Sequence, residues 1–382
     1  MMRTFWTWAA VLVAGFATLA LGPAWWSGRQ AQDFLTPQSP RVRGLARSVA
    51  ATNGADALDA HFATGSARFD GEWVFGTYMM SAMGLGQLAH ADPEMRDWAA
   101  AQMLPALDRL TTSGAAFDTA AWGEAALDSL DANRGHAAYL GYMNLALSLH
   151  VSLDADSPYS ELNRRISAAL ERRLLTSDRF VLETYPGEIY PVDNMAVVAS
   201  IALADHARKQ PRRAVVRRWL AHAARHFQKA DSRLLFQSMA ADGITPGDGE
   251  RGSGTALAAY FASFMSPELS AELFRALQTQ LYDQVLGYGV IREYPWGQFG
   301  RGDIDSGPLV LGYSISATGF AMGAARANGA PKSLDRLLRT FVLFGAPLDR
   351  SGQSSFVSGG PLGNAIVLAM LTALPASHWS QP

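Results

Sequence analysis

Six stretches of the chain are small and apolar all the way round and nearly free of charge. They are FGTYMMSAMGLGQLAHA (75–91), AAYLGYMNLALSLHV (137–151), DNMAVVASIALADHA (193–207), GSGTALAAYFASFM (252–265), SGPLVLGYSISATGFAMGAAR (306–326) and PLGNAIVLAMLTALP (361–375). A helix that is apolar on every face is buried on every face, and small side chains let its neighbours come close. The starts recur every ~50–60 residues, the spacing of a repeated helical unit. Between them lie stretches of another kind: PEMRDWAAAQMLPALDRL, SELNRRISAALERRLL, AVVRRWLAHAARHFQKA, SPELSAELFRALQTQLYDQVL and SLDRLLRTFVLFG. Each carries a charged stripe and an apolar stripe, the pattern of a helix with one wet face. Plausible caps open several of them, at Asp92-Pro93, Ser160, Ser266-Pro267 and Ser333.

Buried helices alternating with amphipathic ones predict an all-α fold, an (α/α)6 barrel or toroid over residues 46–382, with an inner ring wrapped by an outer ring. A plain helical bundle is the alternative. A multipass membrane protein fits less well, because the inner stretches contain Asp, Asn, Ser and Gly and the others carry much charge. Residues 4–28 form a separate apolar segment without charge, after Arg3. The length suits a bilayer span, and the tryptophans at both ends suit an interfacial belt. A secretory signal peptide is equally compatible, with Gly22-Pro23-Ala24 as a small-residue cleavage site. Residues 1–28 are therefore expected to be a signal peptide or membrane anchor. Residues 29–45 are expected to be a linker, since SGRQAQDFLTPQSP (27–40) reads as one. Export to the periplasm or another extracytoplasmic side follows, with a tether to the inner membrane if the segment is retained. A cytoplasmic-facing domain on one membrane helix is the alternative.

Chemistry concentrates in the stretches that precede the buried helices: FDGEWVF (69–75), WGEAALDSLDANRGHAAY (122–139), ETYPGEIYPVDN (183–194), DGITPGDGERGSG (242–254), REYPWGQFGRGDIDSG (292–307) and SGQSSFVSGGPLGN (351–364). In an α/α barrel these loops reach one end and ring the mouth of the central cavity, beside the free N–H groups and positive dipole ends of the inner helices. Asp193, Asp303, Asp305, Glu250 and Glu293 are the candidate catalytic groups, since paired carboxylates divide acid and base work when their environments separate their pKa values. Glu72, Trp73, Trp122, Glu188, Tyr190, Arg251, Tyr294 and Trp296 are candidates for holding substrate. Bland roles compete with each. Asp193 could cap the helix that begins DNMAVV, and Asp305 the one that begins SGP. Glu250-Arg251 could be a structural ion pair, and Glu293 and Tyr294 could cover the barrel end.

Composition narrows the function further. Of 382 residues, 49% are hydrophobic and only 17% charged, which calls for a large core; the net charge is −2. No block of like charge suggests nucleic acid as a partner. The absence of cysteine excludes disulfides, thiolate catalysis and Cys-ligated zinc. His222 and His226 have helical metal-pair spacing, but the flanking AHAARHFQKA lacks the Glu of a zincin helix, so a solvated face is expected and no metal. GSGTAL lacks the Lys and preceding strand of a phosphate loop, and GYSIS falls inside a helix pattern rather than on a nucleophile elbow. No cofactor is expected, and oligomeric state is not encoded in any motif.

From Phe75 to about Gly345 the chain resembles the linalool dehydratase/isomerase family in order and spacing. YLGYMNLALSL (139–149) resembles that family's Tyr-x-Gly-His-Leu-Asn-Leu segment, and YPVDNMAVVASIAL (190–203) its Cys-Glu-Pro-Asp-Asn segment. FGTYMMSAMGLGQLAHADPEMRDWA resembles the first barrel helix and its loop, and SGPLVLGYSISATGFAMGAARANGAPKSLDRLL the late helix pair. The resemblance implies an exported α/α barrel that dehydrates or isomerises a terpene alcohol by cofactor-free acid/base chemistry. The family's two active-site cysteines fall at Tyr190 and Ala199 here, and its motif histidine at Tyr142. Asp193, Asn194 and Asn144 match, so Tyr142, Asn144 and Asn194 join the substrate-binding candidates by resemblance. The missing groups point away from linalool itself. Three readings follow: a cofactor-free lyase, hydratase or isomerase using carboxylates and tyrosines on a small molecule; a glycoside hydrolase or polysaccharide lyase acting on an oligosaccharide; or a non-catalytic, membrane-associated binding protein.

Overall fold

A computed structural model describes residues 2–54, 62–112 and 116–380, apart from several side chains among residues 2–21 and that of residue 116. Fourteen helices are found among them: α1 (Met2–Gln32), α2 (Pro40–Asn53), α3 (Ala67–Ala91), α4 (Arg96–Thr112), α5 (Ala116–Trp122), α6 (Ala137–Leu153), α7 (Ser160–Thr176), α8 (Pro191–Ala207), α9 (Ala214–His226), α10 (Gly252–Ala262), α11 (Pro267–Gln280), α12 (Ile315–Ala327), α13 (Pro331–Gly345) and α14 (Gly360–Thr372). The inner ring runs α3, α6, α8, α10, α12, α14, each packed on the next, and α14 closes the circle against α3. The fold is thus the expected α/α toroid. Small residues set the spacing: a Cβ on Gly84 would meet the Ala369 nitrogen at 2.9 Å, and one on Gly141 the Val197 nitrogen at 2.9 Å. Polar side chains of neighbouring helices bond to one another inside the wall. Asn144 donates to the hydroxyls of Ser167 and Ser200, both at 3.0 Å, and accepts from Asn163.

The outer ring is α4, α7, α9, α11, α13 and α2. The last is a correction, because residues 29–45 are not a linker. Ser39 accepts from the Val42 nitrogen and Pro40 occupies the first turn, so α2 has a complete start. Val42, Leu45, Ala46 and Val49 form its buried stripe, which packs on α3 and α14. Ala31 and Phe34 are also buried, with Phe34 against Phe356. α1 runs along α13. The signal-peptide or anchor expectation for 1–28 falls partly on residues outside those described. Among the described residues no helix is long and apolar enough to cross a membrane.

Among the described residues, four antiparallel hairpins lie in the connections from outer to inner helices: β1 (Phe236–Met239) with β2 (Pro246–Glu250), β3 (Tyr282–Val285) with β4 (Tyr288–Ile291), β5 (Leu309–Val310) with β6 (Tyr313–Ser314), and β7 (Pro347–Arg350) with β8 (Gln353–Phe356). Two of them correct helix boundaries. The expected outer helix 266–286 ends at Gln280, and the expected inner helix 306–326 starts only at Ile315. In both places a two-residue turn, Leu286-Gly287 or Leu311-Gly312, has positive φ at both positions. That geometry matches the twist of a hairpin and ends a helix.

Candidate active site

Three carboxylates meet at the barrel mouth. Glu72 is on the first turns of α3, Asp193 is the third residue of α8, and Asp305 lies in the loop before β5. Asp193 does not cap its helix. Its Oδ1 accepts from the Tyr142 hydroxyl on α6 and its Oδ2 from Thr184 Oγ1, both at 2.5 Å. Asp305 does not cap α12 either, whose start is held by Ser314. Asp305 Oδ2 accepts from Gln237 Nε2 at 3.0 Å. It is open to solvent although much protein lies around it. Glu72 accepts from the Tyr185 hydroxyl.

The carboxyls hold protons more tightly than usual. Burial pushes Glu72 up to about 7, and the charges of Asp305 and Asp193 add to it. Burial likewise pushes Asp305 up to about 7, with Asp303 and Asp193 adding. Asp193 rises only to about 6, because the donors Thr184 and Tyr142 oppose its burial. Burial and neighbouring carboxylates raise Tyr142, Tyr185 and Tyr190, so all three remain protonated donors. Like charges crowded into one site ionise in steps, and the trio retains a proton near neutrality.

The other candidates divide into supports and rim. Asp303 braces the loop that presents Asp305: its Oδ1 accepts from the nitrogens of Asp305 at 3.1 Å and Ser306 at 2.9 Å. Its Oδ2 pairs with Arg251, which also pairs with Asp248 at 2.5 Å and lies 5.4 Å over the Tyr294 ring. Glu250 is buried and paired with Lys229 at 2.8 Å. Glu293 is wholly buried and accepts from the nitrogen (3.1 Å) and hydroxyl (2.7 Å) of Ser253, closing the start of α10. Both acids were expected among the catalytic groups, but each is taken up by a partner outside the trio, and Glu250 pairs with Lys229 rather than with Arg251. Asn144 belongs to the wall between α6, α7 and α8. Asn194 is buried and bonded to both backbone groups of Leu182. Trp122 donates to the Thr184 carbonyl at 3.0 Å and so fixes the segment that carries Thr184 and Tyr185. Trp73 packs edge-on against Phe62. Glu188 accepts from Tyr190 at 2.7 Å and faces Arg68 at 3.7 Å on the rim. Trp296 is 70% exposed, with the Arg292 guanidinium 4.0 Å from its ring.

Sequence reasoning missed Gln237, Thr184 and the buried pair His136–Asp118, 2.7 Å apart behind Trp122. Nothing around Gln237 in FQSM signals a cavity contact. Thr184 could have been found, since it precedes Tyr185 in a loop already rich in candidates. Among the described residues no three His, Cys, Asp or Glu are grouped to hold a metal ion. A surface hollow of about 380 Å³ lined by Arg96, Asp97, His150 and Asp154 lies at the opposite end of the barrel; it gathers none of the raised carboxyls.

No family model matches the chain, and no curated protein matches it. Solved structures do. The unsaturated glucuronyl hydrolase from Bacillus sp. GL1, responsible for the degradation of glycosaminoglycan, is 13% identical with a TM-score of 0.46, over 78% of this chain and 85% of its own. Dfg5 from Chaetomium thermophilum, solved in complex with glucosamine, is 14% identical with a TM-score of 0.46, over 88% and 90%. Likeness at this level says nothing of residues or substrate.

Proposed function

We propose that the chain is a glycan-active acid/base enzyme that cleaves a glycosidic bond at the barrel mouth. The observation that carries this reading is the gathering of three carboxyls at the mouth, divided by environment. Asp305, reachable from solvent and holding its proton up to about 7, is the general acid. Asp193, bonded by two hydroxyl donors and ionising at about 6, is the base. Asp305 gives its proton to the glycosidic oxygen as the bond from that oxygen to the anomeric carbon breaks. Asp193 takes a proton from the water whose oxygen bonds that carbon. The products are a hemiacetal and an alcohol, and the two carboxyls exchange protons with solvent to reset. Glu72 and Tyr185 adjust the charge around them, and Trp296, Tyr294 and Tyr190 offer flat walls for sugar rings.

The resemblance to linalool dehydratase/isomerase supports proton-transfer chemistry in the same cavity, with Asp193 as its shared group. An enclosed pocket walled by Met and Leu would have favoured a terpene alcohol. The solvent-accessible Asp305 carboxyl favours a sugar. Release of reducing ends from neutral and uronic-acid oligosaccharides tests the proposal. Wild type should release them, and Asp305→Asn and Asp193→Asn should each lose roughly 10²–10⁴-fold. Turnover of a terpene alcohol with no oligosaccharide cleaved would replace this reading with the lyase/isomerase one.

A further inference from the structure

Large exposed hydrophobic side chains are unevenly distributed over this protein. The connections at the base of the barrel, where inner helices hand over to outer ones, expose none among the described residues. The mouth end exposes many. Phe299 is 91% exposed and Leu311 88%, and Trp296, Val310, Phe344 and Val357 are exposed as well. Singly, such residues are ordinary; gathered at one end, they mark a contact surface. Leu311 is costlier than exposure alone suggests. It sits at φ 54 in a two-residue turn, a position that asparagine or glycine fills without strain. A leucine held there and aimed at solvent gains nothing for the fold.

α1 indicates what covers this surface. Gln32 donates to Asp335 at 2.9 Å and Gly28 lies against Arg339, so α1 runs antiparallel to α13. α13 climbs from base to mouth and ends at Gly345, level with about residue 22 of α1 at one residue per 1.5 Å on each helix. The part of α1 before that point therefore leaves the body at the mouth end. It exposes Trp6, Trp8, Val11 and Leu12, and the exposed Trp25 and Trp26 stand where it departs. Tryptophans at such a level, with Arg29 over the Trp25 ring at 5.4 Å, match the amphipathic belt that meets lipid headgroups.

We infer that the mouth face is a membrane-docking surface: the apolar rim around Phe299 and Leu311 rests in a lipid bilayer on the side from which α1 emerges. The carboxylate well then faces the membrane. Resting on the glycan-active reading above, this makes its substrate an amphiphile whose sugar head enters the well while its tail stays in lipid. Apolar insertion drives the contact, so it needs no anionic lipid and survives high salt.

The chain has no cysteine, so one introduced thiol carries a single environment-sensitive dye. The test labels full-length Leu311→Cys, Phe299→Cys and, at the exposed base loop, Asp156→Cys, and mixes each with phosphatidylcholine vesicles containing a lipid-borne quencher. Blue-shifted, quenched emission at 311 and 299 but not at 156 is the expected result. A chain that floats with vesicles while the dyes at 311 and 299 stay in water overturns the inference, since α1 alone then makes the contact. So does a chain that does not bind vesicles. A shift that grows with protein concentration without lipid assigns the face to a second copy of the chain and also overturns it. None of these outcomes depends on catalytic activity, so the proposed reaction stands or falls separately.

Discussion

At the scale of single residues, the acids of the mouth separate by what each one touches. Glu293 and Glu250 looked as promising in sequence as Asp305, because all are acids in glycine-rich stretches ahead of an inner helix. Glu293 is consumed by Ser253 at the start of α10, and Glu250 by Lys229. Asp305 has one amide donor and open solvent. Partners decide role here, and partners such as Gln237 lie far along the chain where no local pattern announces them. The raised carboxyl has a consequence for stability. A carboxyl whose folded pKa lies above its unfolded value binds more protons in the folded state, so stability falls as pH rises from about 4 to about 7. Asp305→Asn removes that cost. Its melting temperature should exceed wild type by ~1–2 °C at pH 8, with the difference gone at pH 4, while activity is lost. A variant less stable than wild type at pH 8 would make Asp305 a structural acid.

At the scale of elements, the inner helices and most outer ones were legible, while α2, α5 and the hairpins were not. All-round apolar stretches with small residues located the six inner helices, and striped stretches five of the outer ones. Two of the boundary errors, at the ends of α11 and α12, have one cause. The same four residues, Val-Leu-Gly-Tyr, occur at 285–288 and 310–313, and in each case an apolar run adjoining a helix read as more helix. Only backbone geometry reveals the turn, since Leu286 and Leu311 take φ 51 and 54 and the following glycines 88 and 84. A leucine in that region costs about 1–2 kcal/mol, which asparagine largely avoids. Leu286→Asn and Leu311→Asn should therefore each raise the denaturation free energy, by about 1 kcal/mol, in lipid-free buffer. Equilibrium urea unfolding reads this directly. Loss of stability in either variant would mean that the leucine side chain supports the fold.

At the scale of the whole molecule, the toroid depends on one long-range closure. α3 and α14 lie near opposite ends of the chain, and nothing local in either records the other. The seam is held by close approach and by hydrogen bonds across it. Gln87 Nε2 donates to the Ala369 carbonyl at 2.9 Å, and Thr372 Oγ1 to the Gly84 carbonyl at 3.1 Å. Gly84 is the point of tightest contact, where an added Cβ would meet Leu368 Cγ at 2.7 Å and the Ala369 nitrogen at 2.9 Å. Backbone cannot yield as a side-chain tip does, so Gly84→Ala must separate the helices, at a cost of about 1–3 kcal/mol. Gly76 on the same helix supplies the contrast. Its added Cβ would sit 3.5 Å from Leu362 Cδ1, an ordinary contact. There alanine brings only its better helix propensity, and Gly76→Ala should stabilise by about 0.5–1 kcal/mol. Because α3 also carries Glu72, separation at the seam displaces one carboxylate of the mouth. Gly84→Ala should then lose activity as well as stability, even at temperatures where it remains folded, whereas Gly76→Ala should keep both. If urea unfolding showed equal effects for the two substitutions, helix propensity rather than ring closure would govern this wall.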